Sequence, residues 1–280
     1  MSTITAFMLT YNEEKNITDC INSFKHFVDR IVIWDGFSQD HTVEIAKKLG
    51  AEVYQHHGTY RPRYDYGMAH TKFDTDWIAF IEADERFTEV SAKELKYLCD
   101  LYADTDTNGI VLRDTVCFMG KELRHGGVYP LTRLRVWKPG KGYMEKTELD
   151  EHIIVKEGNI AYMKHDILHT DYNGLLRWSS KHCEYASRAA KDYLRKKTGI
   201  DQIEKKGVDK RAKIKRFFKY HIYYQLPMGI RAWMLYIYQC YIRFGFLDGK
   251  EGKIYAFLHA YWYRYLVDAY IYESQKAGNK

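Results

Sequence analysis

Trp77 to Ile81 is a run of five apolar residues without alternation, the pattern of a strand buried on both faces, as in the middle of a mainly parallel sheet. Glu82, Ala83, Asp84 and Glu85 follow it directly. Ile4–Leu9 and Arg30–Trp34 repeat the pattern, and Ala51–Gln55 gives a shorter third strand. Helices are predicted between them. The first starts at Asn12, a good N-cap with Glu13 and Glu14 in its first turn, and runs to about Phe27. The second runs from a Ser38 or Asp40 cap to Leu49, where Gly50 stops it, and the third covers Arg61–Thr71. Ser91–Glu94 reads as the capping box of a fourth. The first hundred residues therefore alternate βαβαβαβα, which predicts a parallel sheet with crossover helices. Neither a G-x-G-x-x-G after the first strand nor a G-x-x-x-x-G-K-[ST] is present.

After Asn108 the rhythm changes. Gly109–Cys117, Arg133–Trp137 and Ile153–Val155 read as strands joined by Gly/Pro turns, an antiparallel addition to the sheet. From Leu175 no strand pattern remains: Arg177–Lys197 is helical, and a basic segment and two aromatic helices run on to about Glu273. This divides the chain at 174/175. No stretch of 18 apolar residues occurs, so no membrane span is expected.

Composition narrows the class. With 46% hydrophobic and 29% charged residues the chain is globular, not disordered. Its five cysteines are widely spaced with no C-x-x-C, which predicts reduced thiols in the cytosol and neither a disulfide framework nor a zinc site. The opening MSTITAFMLT reads as a strand, not a signal peptide. In open α/β sheets ligands bind at the carboxyl ends of strands, and three acids clustered there need a positive partner. Hard oxygen ligands suit Mg²⁺ or Mn²⁺. The alternative is that the acids cap the next helix, which the Ser91–Glu94 box makes unnecessary.

Four segments match one family together: TYNEE at 10–14, DGFSQDHT at 35–42, IEADE at 81–85, and HGGVYP with RLRVW at 125–137. In this order and spacing the chain resembles the family 2 glycosyltransferases of the GT-A fold, and more narrowly the bacterial branch that builds lipopolysaccharide core and related surface glycans. The tail GFLDGKEGKIYAFLHAYWYRYL is similar to that branch too. The resemblance implies an α/β, Rossmann-like mixed sheet flanked by helices, with a C-terminal helical extension. It implies an inverting, metal-dependent hexosyl transfer from a UDP-sugar to a saccharide or lipid-linked acceptor. Tyr11 would lie near the uracil with Glu13 in the same pocket, Asp35 would bond the base, and Arg63 would lie near the phosphates. Glu82 and Asp84 would be the acids of the family's D-x-D, with Asp84 on the metal, and Glu151 would be the base. Two departures stand out. Glu82 replaces the usual Asp, and Phe37 and His41 replace two glycines of the second motif.

Asp150 and Glu151 are adjacent, so on a strand they face opposite ways and only one can point into a site. His169, at the end of an apolar run, is either a metal or phosphate contact or a satisfied strand-end histidine. Glu85 either joins the acids or turns to the surface. His125 with Gly126 and Gly127 either approaches an acceptor sugar or makes a tight turn. Between Lys205 and Lys219 stand eight basic residues and one acid, followed by Phe217, Phe218, Tyr220, Tyr223 and Tyr224 within and after the run. Such a segment suits the anionic inner face of the cell membrane; the alternatives are an ordinary solvated face with a packed aromatic core behind it, an oligomer contact, or a nucleic-acid patch, for which no motif is present. A nucleotidyltransferase is the runner-up, although Thr10–Glu14 is acidic where that class carries a basic glycine-rich loop. A non-catalytic membrane-binding module leaves the acids unexplained.

Overall fold

A computed structural model describes residues 1–145, 152–197 and 223–278. The chain forms two compact units. One comprises 1–117, 130–143 and 155–173, and the other 118–129, 144–154 and 174–280.

The first unit is built on a mixed sheet. Its strands are β1 (Ile4–Thr10), β2 (Arg30–Asp35), β3 (Glu52–Gln55), β4 (Trp77–Phe80), β5 (Glu85–Arg86) and β6 (Thr107–Phe118). After β7 (Lys121–Glu122), which falls in the second unit, come β8 (Leu131–Trp137), β9 (Gly142–Met144) and β10 (Ile153–Val155), the last two at the division between units, then β11 (Asn159–Tyr162) and β12 (Ile167–Thr170). The order across the sheet is β3-β2-β1-β4-β8-β6-β12-β5, with β11 also on β6, while β9 and β10 pair separately. The first four strands are parallel, as the apolar runs predict. β8 is antiparallel to both β4 and β6, and β12 returns parallel to β6. The later strands therefore mix directions where a purely antiparallel addition was expected.

The helices of this unit are α1 (Ile17–Phe24), α2 (Thr42–Lys48), α3 (Tyr60–His70) and α4 (Glu89–Leu101). In α1, Ile17, Cys20, Ile21 and Phe24 form one buried stripe at i, i+3, i+4 and i+7. Trp77 and Trp137 are fully buried in the sheet, each side chain contributing about 2–3 kcal/mol of burial. Two predicted starts are corrected. Asn12 does not cap α1; it has φ of 55°, and the helix begins five residues later, after a turn. The capping box of α4 is Thr88 with Ser91, because Thr88 is the extended residue at which the chain leaves the sheet.

The second unit contains α5 (Gly174–Lys197), α6 (Ile230–Ile237), α7 (Gly249–Ala256) and α8 (Tyr263–Gly278), with π-helical turns at Tyr238–Ile242 and Phe257–Trp262. Ala186, Ala189 and Ala190 of α5 pack against Tyr263, Val267 and Ile271 of α8. Arg231 and Asp268 form a buried ion pair: Arg231 Nε donates at 2.8 Å and Nη2 at 2.5 Å to Asp268 Oδ1, and Nη1 donates to the Tyr224 carbonyl at 3.1 Å. The guanidinium also lies over the Tyr224 ring. Tyr223 and Tyr224 thus belong to this core rather than to an outward aromatic face, because Arg231 needs both charge and ring partners once buried. No described helix is long and apolar enough to cross a membrane. The basic run 205–219 with Phe217, Phe218 and Tyr220 lies outside the described residues, as do Asp150 and Glu151.

Candidate functional site

The loops after β1 and β2 are stitched to each other by side chains. Asn12 N–H donates to Ser38 Oγ at 2.8 Å, Glu13 N–H to Thr42 Oγ1 at 2.7 Å and Glu14 N–H to Asp40 Oδ2 at 3.1 Å. In return Gln39 N–H donates to Asn12 Oδ1 at 2.8 Å. The polar residues of TYNEE and DGFSQDHT therefore fix backbone that would otherwise be unpaired, and the left-handed Asn12 is part of this arrangement.

Asp35, at the end of β2, is fully buried and accepts four bonds: Thr10 Oγ1 at 2.8 Å, Ser38 Oγ at 2.5 Å, Ser38 N–H at 2.8 Å and Gln55 Nε2 at 3.2 Å. Beside it, the Arg63 guanidinium lies on bare Gly36: a Cβ there would stand 1.6 Å from Arg63 Nη1 and 3.3 Å from the Tyr11 ring. Burial draws the Arg63 pKa down against the pull of Asp35, and its Nε has no hydrogen-bond partner among the described residues. Tyr11 is exposed. Phe37, with φ of 63°, stacks on His57 at 3.8 Å between ring centres. Glu13 lies apart from these, accepting from Asn16 Nδ2 at 2.8 Å and Asn173 Nδ2 at 3.1 Å.

The acids after β4 converge on two arginines from β8. Arg133 Nη1 donates to Glu82 Oε2 at 2.9 Å, Nη2 to Glu85 Oε1 at 2.6 Å, and Nε to Asp114 Oδ2 at 2.8 Å. Arg135 Nη2 stands 2.9 Å from the same Glu82 oxygen, and Tyr60 OH donates to the other at 3.1 Å. Glu85 does not turn to the surface: it is fully buried, because its Oε2 accepts from the Glu82 N–H at 3.0 Å and closes the turn inward. Burial would raise the Glu82 pKa, but Arg135 and Arg133 outweigh it and hold the group down at about 2. For Glu85 burial prevails over the arginines, reinforced by Glu82 and Asp114, and its pKa rises to about 7.

Asp84 and His169 stand beside this cluster, with Asp84 Oδ2 at 3.2 Å from His169 Nε2. Backbone fixes the pair, since Thr170 N–H donates to the Asp84 carbonyl at 2.8 Å. Burial lowers the His169 pKa, and the Asp84 carboxylate more than offsets this, lifting it to about 9. Arg133 Nη2, at 3.3 Å from Nδ1, opposes a second proton there. His169 also forms, with Glu85 and Asp114, a group whose ligand atoms lie within 4.8 Å of one another. Arg133 already sits among those three, which neutralises them without an ion. Asp84 and His169 would instead hold a cation once it displaced the proton that they share. Asp114, Arg133 and Arg135 were not singled out in the sequence. Their signal is the charge alternating through RLRVW, a strand that must also be buried.

Glu85 generates a pH dependence. Its folded pKa lies above its ordinary value near 4.5, so the folded chain holds the extra proton, and stability present below that value is lost as pH rises to about 7. The loss is on the order of 3 kcal/mol at most. Urea denaturation of Glu85→Gln should show a shallower decline between pH 5 and 7 than the parent chain; equal slopes would contradict the assignment.

Residues 5–170 match the family described as Glycosyl transferase family 2. An uncharacterised glycosyltransferase of Rickettsia typhi is 35% identical over 102 residues, covering 35% of this chain and 33% of that protein. The prophage-derived glycosyltransferase SunS of Bacillus subtilis is 33% identical over 91 residues, covering 31% of this chain and 21% of SunS. The chain thus spans about a third or less of the length of these curated relatives. Among solved structures, glucosyl-3-phosphoglycerate synthase from Mycobacterium tuberculosis, in complex with Mn²⁺, UDP and glucosyl-3-phosphoglycerate, is 20% identical with a TM-score of 0.33, covering 42% of this chain and 45% of that one. With its matched segment taking in more than half of its residues, the chain belongs to glycosyl transferase family 2.

Proposed function

We propose that the chain transfers a hexose, with inversion, from a UDP-sugar to a saccharide acceptor in the synthesis of lipopolysaccharide or a related surface glycan. The observation that carries this reading is the pair Asp84 and His169, 3.2 Å apart beside an acid cluster already neutralised by Arg133 and Arg135. Asp84 and His169 would hold Mg²⁺ or Mn²⁺, which when bound supplies positive charge to a nucleoside diphosphate leaving group. Arg63, buried with an unspent donor beside Gly36, suits a phosphate oxygen. Tyr11 would stack on the uracil, Asp35 would exchange its long Gln55 bond for one from the base, and Glu13 would brace the pocket wall. Glu82 would hold the arginines in place from within the cluster.

In the transfer, the acceptor oxygen loses its proton to Glu151, or to its neighbour Asp150, and forms the new bond to the anomeric carbon. The bond from that carbon to the diphosphate oxygen breaks on the opposite face, and UDP leaves with the electron pair. Family membership favours this chemistry over the nucleotidyltransferase and non-catalytic alternatives. We further place the chain at the inner membrane face. Exposed Trp233, Tyr241, Phe244 and Leu247, with exposed Lys250 and Lys253, suit an anionic lipid surface, as does the basic run between 205 and 219.

Asp84→Asn should abolish Mn²⁺-dependent UDP binding in a thermal-shift titration while the ligand-free protein still melts as a folded, cooperative unit. UDP affinity that ignores both Mn²⁺ and the substitution would sink the metal assignment. Glu151→Gln should lower turnover by about 10²-fold or more with UDP binding intact. A mild Glu151→Gln beside a damaging Asp150→Asn would move the base to Asp150. Replacing Lys210, Arg211, Lys213, Lys215 and Arg216 with Gln should release the protein from anionic liposomes at moderate salt. Retention of that variant on the liposomes would show the electrostatic reading to be wrong.

A further inference from the structure

Away from the acid cluster, the second unit holds a histidine gripped at two points. Asp248 is only 4% exposed, and both of its carboxylate oxygens serve His125: Oδ2 accepts from the backbone N–H at 2.8 Å and Oδ1 lies 2.7 Å from Nδ1. An ionised carboxylate only accepts, so Nδ1 carries a proton, and in the neutral form of the ring the lone pair is on Nε2. The side chain remains 42% exposed. Its ring is therefore fixed in tautomer and orientation while one nitrogen stays available.

The surrounding backbone is packed to hold this geometry. A Cβ at Gly245 would come within 2.8 Å of the Gln239 carbonyl oxygen. One at Gly252 would come within 2.3 Å of the Gly245 carbonyl oxygen and 2.7 Å of Asp248 Cβ. Gly126 donates its N–H to the Arg243 carbonyl at 2.8 Å, and Gln239 and Arg243 flank or belong to a π-helical turn, a distortion frequent at functional sites. The Arg243 side chain lies across the bare Gly127, whose added Cβ would meet Arg243 Nε at 3.3 Å. An acceptor, Nε2, and a donor, the guanidinium, thus flank a glycine turn, and His125 lines a small concave pocket with Gln239 and Tyr255. A hydroxyl group both donates and accepts and satisfies this pair. Among the described residues, the one group of three candidate metal ligands lies in the first unit and does not include His125.

We propose that His125, oriented by Asp248, binds a hydroxyl of the acceptor saccharide through Nε2, with Arg243 donating to the same or the adjoining hydroxyl. The word acceptor rests on the glycosyltransferase reading; the hydroxyl site itself rests on this geometry. His125→Asn provides the test, because the Asn Nδ2 can stand where Nδ1–H stands and keep the bond to Asp248 while the Nε2 acceptor is removed. Saturation-transfer NMR of the full chain with methyl glycosides of glucose, galactose and mannose should give a saturable signal for at least one of them. Binding should weaken about tenfold in His125→Asn, the scale of one net hydrogen bond, with melting temperature and UDP thermal shift unchanged. In ¹⁵N-histidine-labelled wild-type protein the His125 Nε2 resonance should move with the same saturation curve, a readout that needs no variant. Equal glycoside binding by both proteins, no glycoside binding by the parent chain, or an unmoved Nε2 resonance overturns the proposal. Loss of the UDP shift in the parent chain, with the His125 effect intact, would instead overturn the donor reading.

Discussion

A single guanidinium, that of Arg133, holds together the end of the sheet where the chemistry is proposed. Its nitrogens reach Glu82, Glu85 and Asp114, and one approaches His169. These partners come from the turn after β4 and from β5, β6 and β12, so one side chain of β8 ties together five segments. Carboxylates buried at this density repel one another and are costly to desolvate unless they are paired and fully hydrogen-bonded. Arg's planar fork can serve several of them at once, which the point charge of Lys could not. Arg135 supplies the second positive charge on the same Glu82 oxygen. The consequence for function is a division of roles: Glu82, Glu85 and Asp114 pair with arginine, whereas Asp84 pairs with His169.

The sheet order explains why this is achievable. β8 enters antiparallel beside β4 and carries Arg133 and Arg135 on alternate positions toward the same end. β12 then returns parallel on β6 and brings His169 opposite Glu85. On the other side of the sheet the loops after β1 and β2 are cross-linked by their own side chains, and Gly36 leaves room for Arg63. One end of the sheet therefore presents an acid–histidine pair and, elsewhere on the same first unit, a buried cation with an unspent donor.

The parallel half of the fold was legible because strands buried on both faces read as plain apolar runs, and Ile4–Thr10, Arg30–Asp35 and Trp77–Phe80 all do so. The helix start at Asn12 was misread because its side chain and amide bond the neighbouring loop, a long-range use that local capping preferences cannot show. The direction of β12 was hidden for the same reason, since strand pairing is not local. At the candidate site the acids of 82–85 were visible as a cluster, but their partners were not. Arg133 and Asp114 are separated from them by dozens of residues and acquire meaning only through sheet register. Tyr223 and Tyr224 looked like outward aromatics because the buried charge they cover, Arg231, finds its counterion 37 residues away in Asp268.

The most direct test of the division between the arginine-paired acids and Asp84 is to locate the cation itself. In ¹⁵N-histidine-labelled protein with UDP present, substoichiometric Mn²⁺ should broaden the His169 ring resonances first, ahead of those of His125, His165 and His182. Broadening that spares His169, or that centres on a different histidine, would contradict a cation held by Asp84 and His169.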